Sequence, residues 1–342
     1  MNGTVTATLR WKGAPDSPSR ETGLRLSLAA AALGAIGFAA KGVVVKLAYQ
    51  HGVDSSTVVA LRMLFALPAF LLLVAWTIGN TPSLSARDWL EAAILGFFGG
   101  YLTGVLDFEG LKYVSAGLER LIVYLTPTIV LVIEVCAGRQ GVGRMGLVGL
   151  GVSYFGVVLV LGGELWQPGR STLWGASLVF ASACTYAIYL VRSGLAVKRI
   201  GALRLTGLAT SFAALFSLAH FTSLNPVSSL IVAPEVLWLS LVNGLLCTFA
   251  PVVLVMLAIE RLGAPLASQC GMIGPVATVA LGSVFLGEQF TASIAAGTCL
   301  VLAGIWLLAK AKSRKVSTSV SGQANEHSTE VDTDAARTHR PK

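Results

Sequence analysis

The sequence predicts an all-α membrane protein with ten transmembrane helices arranged as two inverted five-helix repeats. Three observations predict it. The first is composition: of 342 residues, 54% are hydrophobic and only 12% charged, with a mean hydropathy of +0.74. A soluble domain carries about 25% charged residues. The second is the spacing of apolar segments, each near the ~20 residues that a helix needs to cross a bilayer. The third is an internal repeat. LKYVSAGLERLIVYLTPTIVLVIEV (Leu111 to Val135) lies over IERLGAPLASQCGMIGPVATVALGS (Ile259 to Ser283). With Pro127 on Pro275, Ser115-Ala116 meets Gly263-Ala264, Gly149 meets Gly297 and Gly156 meets Gly304.

Residues 1–23 are polar, carry Arg10, Lys12 and Arg20, and lack the short apolar core of a cleavable signal. They are expected to form a disordered cytoplasmic arm. The ten spans follow at about 25–47, 56–78, 88–109, 115–137, 144–162, 173–192, 203–222, 235–257, 264–286 and 291–309. The first repeat is expected over 24–162 and the second over 173–310. Residues 316–342 are Ser/Thr-rich and acidic, with too few apolar side chains to build a core, and read as a disordered polar tail. The five cysteines all fall in apolar runs without metal-type spacing and read as small packing residues.

Lys and Arg set the orientation. With the N-terminus inside, one side holds Arg10, Lys12, Arg20, Arg25, Arg87, Arg139, Arg144, Arg192, Lys198, Arg199, Arg204, Arg261, Lys310, Lys312, Arg314 and Lys315. The other side holds Lys46, Lys112 and Arg170, sixteen against three. This positive-inside bias puts both termini in the cytoplasm. Each half has an odd number of spans, so the second copy enters from the opposite side and the repeats are inverted. The net charge of +8 therefore belongs to membrane topology, and no nucleic-acid partner is expected.

The repeat extends to Ala60-Leu61-Arg62 against Ala202-Leu203-Arg204, and to Gly138-Arg139-Gln140 against Leu286-Gly287-Glu288. With these residues the chain resembles the ten-helix drug/metabolite transporter superfamily, of the EamA type. The shared form is a short turn with small residues, a helix with a mid-membrane proline, Leu-Gly-Glu, and a Gly-rich last helix. Here it is Gly263-Ala264-Pro265, Pro275, Leu286-Gly287-Glu288, Gly297 and Gly304, and it is weaker in the first half, where Gln140 stands in place of Glu. The resemblance covers residues 24–310. It implies a transporter of small molecules such as amino acids, other metabolites, drugs or sugars, and location in a bacterial inner membrane.

Candidate pathway residues are the polar groups inside spans. Lys41 lies deep in the first span, where a lysine costs roughly 2.5–3.5 kcal/mol on insertion scales without water or a partner. It is read as cavity-facing, or else in an interhelical ion pair. Arg120, Tyr124, Pro127, Leu131 and Glu134 recur at helical spacing and form one stripe in the fourth span. Arg120 and Glu134 would stand about 21 Å apart at ~1.5 Å per residue, too far to pair with each other. The plain alternative is that Arg120 snorkels outward and Glu134 lies at the cytoplasmic surface. The matching stripe in the ninth span includes Ser268, Met272, Pro275, Val279 and Gly282. Tyr186 and Tyr189 lie in the sixth span, the repeat mate of the span with Lys41, and are candidates for the cavity, with helix packing as the alternative. Pro127 and Pro275 are hinge candidates, since each frees a carbonyl in mid-helix. Glu109 is the proton-coupling candidate, with Asp107 competing and Glu119 opposed by its neighbour Arg120. The glycines at 96, 99, 100 and 104 make one face of the third span nearly bare backbone, suited to close packing or to sliding.

Only four histidines occur, and no metal pair, serine elbow or phosphate loop accompanies them. Neither enzyme chemistry nor a cofactor is expected. Without an ATP-binding motif, transport would be passive or driven by a gradient. The expected partners are a small-molecule substrate, the lipid bilayer, and a proton or other coupling ion. The sequence thus reads as a secondary transporter, exporting amino acids or similar small metabolites by alternating access. A membrane interaction or receptor-like protein that uses its polar tail for docking is the alternative.

Overall fold

The computed structural model describes residues 18–78, 84–138, 144–165, 171–262, 273–307 and 310. The expectations for residues 1–17 and for the tail at 316–342 lie outside these residues. The described chain is helical: α1 (Pro18–Tyr49), α2 (Ser55–Ile78), α3 (Ala86–Gly96), α4 (Thr103–Gly110), α5 (Ala116–Val123), α6 (Thr126–Cys136), α7 (Arg144–Leu165), α8 (Thr172–Ile200), α9 (Ala202–Leu224), α10 (Pro234–Gly244), α11 (Ala250–Leu262) and α12 (Ile273–Leu286), then α13 (Ala292–Leu307). Helix α1 begins within the segment read as a polar arm. Among the described residues, eight helical segments are long and apolar enough to cross a membrane. The two shorter apolar helices, α12 and α13, stand where the ninth and tenth spans are expected.

The surface is inverted relative to a soluble protein. Leu72, Trp76, Phe155, Trp238 and Val284 are exposed, whereas Arg62, Asp107, Glu119 and Arg120 are buried. Such an arrangement suits a lipid exterior, where apolar side chains face hydrocarbon and ionisable ones face the bundle interior. Trp76, Trp89, Trp174, Trp238 and Trp306 are all exposed near helix ends, the placement of an interfacial aromatic belt.

Local sequence explains the ends and breaks. Ser85 and Asp88 form a reciprocal capping box that starts α3. Ser115 starts α5 by accepting a hydrogen bond from the Leu118 N–H. The fourth span is interrupted at Tyr124–Leu125, between α5 and α6. Pro127 has no N–H to give to the Val123 carbonyl. The Thr126 hydroxyl donates to that carbonyl instead, at 2.6 Å. The stripe from Arg120 to Glu134 therefore lies on two helical segments. Pro275 is a buried residue in the first turn of α12, and the chain before it lies outside the described residues.

The two halves repeat each other in detail. A π-helical stretch joins α3 to α4 at Phe97–Leu102, and another joins α10 to α11 at Leu245–Phe249. Each follows a glycine, Gly96 or Gly244, that the proline alignment pairs. At each stretch a threonine hydroxyl donates to a carbonyl five residues back: Thr103, just after the first, to Phe98 at 2.7 Å, and Thr248, within the second, to Asn243 at 2.8 Å. Such wide turns cost regular hydrogen bonds and are found frequently at functional sites. The turns after α6 and α12 each use a left-handed glycine, Gly138 (φ 68°) and Gly287 (φ 65°). This register puts Arg139, rather than Gln140, opposite Glu288.

Packing runs mainly between the halves. Helix α1 packs on α10, α11 and α12, while α8 packs on α3, α4, α5 and α6. Helix α2 packs on α9. Glycines set the closest approaches. A Cβ on Gly156 of α7 would stand 2.8 Å from the Gly297 carbonyl of α13, and one on Gly297 would stand 2.7 Å from that of Gly156. One turn pair away, a Cβ on Gly304 would stand 2.5 Å from the Gly149 carbonyl. Since Gly149 aligns with Gly297 and Gly156 with Gly304, these two contacts exchange when the repeats are exchanged. Gly96 rests on the backbone of α9 at Ala209 and Ala213, and Gly99 on the ring of Tyr189.

Candidate functional site

The buried charges converge at one place. Helix α1 carries Lys41 inward, and its Nζ lies 2.5 Å from Asp107 of α4 and 3.6 Å from Glu119 of α5. The two carboxylates are 2% and 0% exposed, the lysine side chain 17%. Gly42 makes room: a Cβ there would stand 3.2 Å from the Glu119 carboxylate. Arg62 of α2 lies over the Phe108 ring, 4.5 Å from its centroid. Gly104 leaves space for that guanidinium, since a Cβ would meet it at 2.9 Å. Tyr49 donates to the Phe108 carbonyl at 2.7 Å.

Arg120 joins the halves. Its Nε donates to the Thr278 hydroxyl of α12 at 3.2 Å, and its Nη2 donates to the Phe38 carbonyl of α1. Thr278 in turn donates to the Ala39 carbonyl at 3.0 Å. Arg120 is buried and does not reach outward as a snorkelling side chain would. The site thus holds two carboxylates and three cations carried by α1, α2, α4 and α5, with α12 packed against α1 and α5 beside them. It presents both signs of charge away from lipid, a costly arrangement that persists only where pairing and hydrogen bonds offset desolvation.

The other candidates take these places. Tyr124 lies with its hydroxyl against Gly274 of α12. Glu134 is half-buried on α6, on the far side of the break from Arg120. Tyr186 and Tyr189 stack on each other on α8, with centroids 5.6 Å apart. Pro127 is exposed and Pro275 buried. Ser268 and Met272 lie outside the described residues. Glu109 is 34% exposed, pairs with Lys112 at 2.8 Å and accepts from Ser55 at 2.5 Å. It lines a cleft of about 220 Å³ with Asp54, Ser55, Ser217, His220 and Asn225, at the end of the bundle where α2, α4 and α9 meet. Outside the spans, Lys112 also holds Asp54 at 2.6 Å. Partial burial tends to raise the Asp54 carboxyl, but bonds from Lys112 and Ser56 outweigh it and hold it at about 2.

The sequence offers Asp107 and Glu119 as titrating carboxyls only behind Glu109, and gives no sign that Arg62, Thr278 and Glu288 belong to this cluster. One signal was present for Asp107. Gly96, Gly100, Gly104 and Asp107 follow one another at helical spacing, so Asp107 continues the face that the glycines mark as packed. Glu109 lies well round the helix from it.

Glu288 ties down the same end of the bundle. Its carboxylate accepts from Lys46 Nζ at 2.9 Å and from the Ala116 N–H, at the start of α5, at 2.9 Å. Lys46 also donates to the Val114 carbonyl at 2.8 Å. A carboxylate at a helix N-terminus is favoured by the unpaired N–H groups and the helix dipole. Glu288→Ala is expected to destabilise the fold by about 1.5–3 kcal/mol, the range for a bond to a charged group. Thermal unfolding of the detergent-solubilised protein checks this, and unchanged melting would remove Glu288 as a tie between the halves.

Residues 25–162 and 173–310 each match the EamA-like transporter family. The chain is 32% identical over 264 residues to the uncharacterized transporter YcbK of Bacillus subtilis (strain 168), covering 75% of this chain and 84% of that protein. It is 28% identical over 208 residues to the uncharacterized transporter YoaV of the same organism, covering 61% and 70%. An uncharacterized transporter of Archaeoglobus fulgidus is 25% identical over 228 residues, covering 66% and 79%. One crystal structure shares the fold at a TM-score of 0.55 and 18% identity, over 85% of this chain and 98% of that one. With its apolar helices, its lipid-suited exterior and two matches spanning nearly the whole helical region, this integral multi-pass membrane protein belongs to the EamA-like transporter family.

Proposed function

We propose that the protein is a secondary exporter of amino acids or similar small metabolites, working by alternating access around a site between two inverted five-span repeats. The observation that carries this reading is the buried cluster of Lys41, Asp107, Glu119 and Arg120 against Thr278. It lies where the first repeat meets the second, the place a repeat transporter uses for its substrate. A site with both signs of charge suits a zwitterion, whose carboxylate and ammonium each need a partner. Tyr124, Tyr186, Tyr189, Glu134, Ser268 and Met272 extend the pathway in this reading.

Inversion is supported by the antiparallel glycine contacts of α7 and α13, which exchange under the repeat, and by the matched π-helical stretches. Those stretches, with Pro127 and Pro275, supply positions where helices can bend without breaking further hydrogen bonds. The Lys and Arg distribution supports ten spans with both termini cytoplasmic, in a bacterial inner membrane. The repeats are then 24–162 and 173–310.

Counterflow in proteoliposomes tests the reading. Vesicles loaded with one unlabelled amino acid at a time are expected to accumulate its labelled form for at least one member of a panel spanning acidic, basic, small and aromatic side chains. No exchange for any of them would overturn the substrate class.

A further inference from the structure

The carboxylates of Asp107 and Glu119 flank the same ammonium, Lys41 Nζ, at 2.5 and 3.6 Å. Both are carboxylate acceptors. Asp107 Oδ1 and both oxygens of Glu119 are buried without a hydrogen-bond donor. Lys41 reaches Asp107 at 2.5 Å but stands 3.6 Å from Glu119, beyond a hydrogen bond. A fully buried carboxylate with no donor is costly, and a second carboxylate beside it adds repulsion.

Every charged or titratable neighbour among the described residues is otherwise engaged or lies farther off. On α1, Tyr49 donates to the Phe108 carbonyl. On α2, Arg62 lies over the Phe108 ring. On α5, Arg120 is bound to Phe38 and Thr278, and Tyr124 faces Gly274. Cys247, in the π-helical stretch before α11, is buried nearby. Neither arginine comes within 4.0 Å of either carboxylate. A metal cation is not the natural answer: among the described residues no group of three or more His, Cys, Asp or Glu could hold one, and the Lys41 ammonium already stands against the pair.

We infer that Asp107 and Glu119 form a proton-binding site, with one proton held between Glu119 and Asp107 Oδ1. This supplies the missing donor and leaves one negative charge for Lys41. The inference rests on the transporter reading for its purpose. A substrate ammonium brought against the pair would supply donors to the same oxygens, so proton and substrate compete. The proton leaves Glu119 for water on whichever side the site is open, and returns when substrate departs. This makes Glu119, rather than the paired and partly exposed Glu109, the coupling carboxyl.

Infrared spectroscopy of the full chain in lipid vesicles, with no substrate, tests the site. A C=O stretch of a protonated carboxyl is expected at neutral pH, shifting in D2O and vanishing as pH rises. It is expected to be absent in Glu119→Gln. Should that variant not fold, Asp107→Asn, which changes the acceptor, is expected to move the band. No band in the wild-type protein at neutral or mildly acidic pH, or a band unchanged in both variants, overturns the inference. Because the readout needs no substrate, a failed amino-acid panel leaves it standing. Conversely, active counterflow without the band removes the proton site alone.

Discussion

Lys41→Met is expected to destabilise the protein by about 3–5 kcal/mol and to abolish substrate counterflow. The magnitude is that of removing one partner from a buried ion pair. Here the loss strands the negative charge of a carboxyl pair whose members are 2% and 0% exposed. Met preserves most of the stem volume, so the effect isolates the charge from the packing. The sign with pH is also set. Without the lysine, the carboxylates are relieved by protonation, so the variant should recover stability relative to wild type as pH falls. Melting the detergent-solubilised variant at mildly acidic and mildly alkaline pH reads this directly. Adding Asp107→Asn to Lys41→Met should restore part of the loss, since it removes one carboxyl of the stranded pair. Equal melting of Lys41→Met and wild type across pH would remove the cluster as a coupled charge site.

Gly304→Ala is expected to cost more than the ~1–3 kcal/mol typical of overpacking in a core. The added Cβ would stand 2.5 Å from the Gly149 carbonyl and collide with Ser153 as well. Backbone cannot rotate away as a side chain can, so α7 and α13 must separate. Gly156→Ala meets the equivalent obstacle, 2.8 Å from the Gly297 carbonyl. The two substitutions should therefore have similar effects, as repeat mates. Gly162→Ala is the control: it has open space around it, and alanine is the better helix former by about 1 kcal/mol. It should melt at or above the wild-type temperature. Thermal unfolding of the three variants in one detergent decides the matter, and wild-type melting of Gly304→Ala would rule out the close approach of these helices.

The membrane class, the position of most helices and the duplication were legible in the sequence, because hydropathy and spacing are local properties. Lys41 and Arg120 were legible as candidates for a related reason: a charge deep in an apolar span is costly and needs an explanation. Asp107 and Glu119 were harder to see. Their distance in sequence from a turn says nothing about whether lipid headgroups, water or another helix surrounds them. Only the packing of α1 against α4 and α5 puts Lys41 beside both. Likewise, the sequence marks Pro127 as a kink, but the threonine that satisfies the freed carbonyl becomes visible only in the folded backbone.

By itself the sequence determined that this chain lives in a bilayer, that it is built from one unit used twice, and which face of its third span packs through glycine. These follow from composition, period and repetition along one dimension. The tertiary structure alone decided which charges meet. It joined Lys41 to Asp107 and Glu119, Arg120 to Thr278, and Glu288 to Lys46 and the start of α5. These are contacts between residues up to 242 positions apart, and electrostatic energy depends on distance in space, to which sequence separation is no guide.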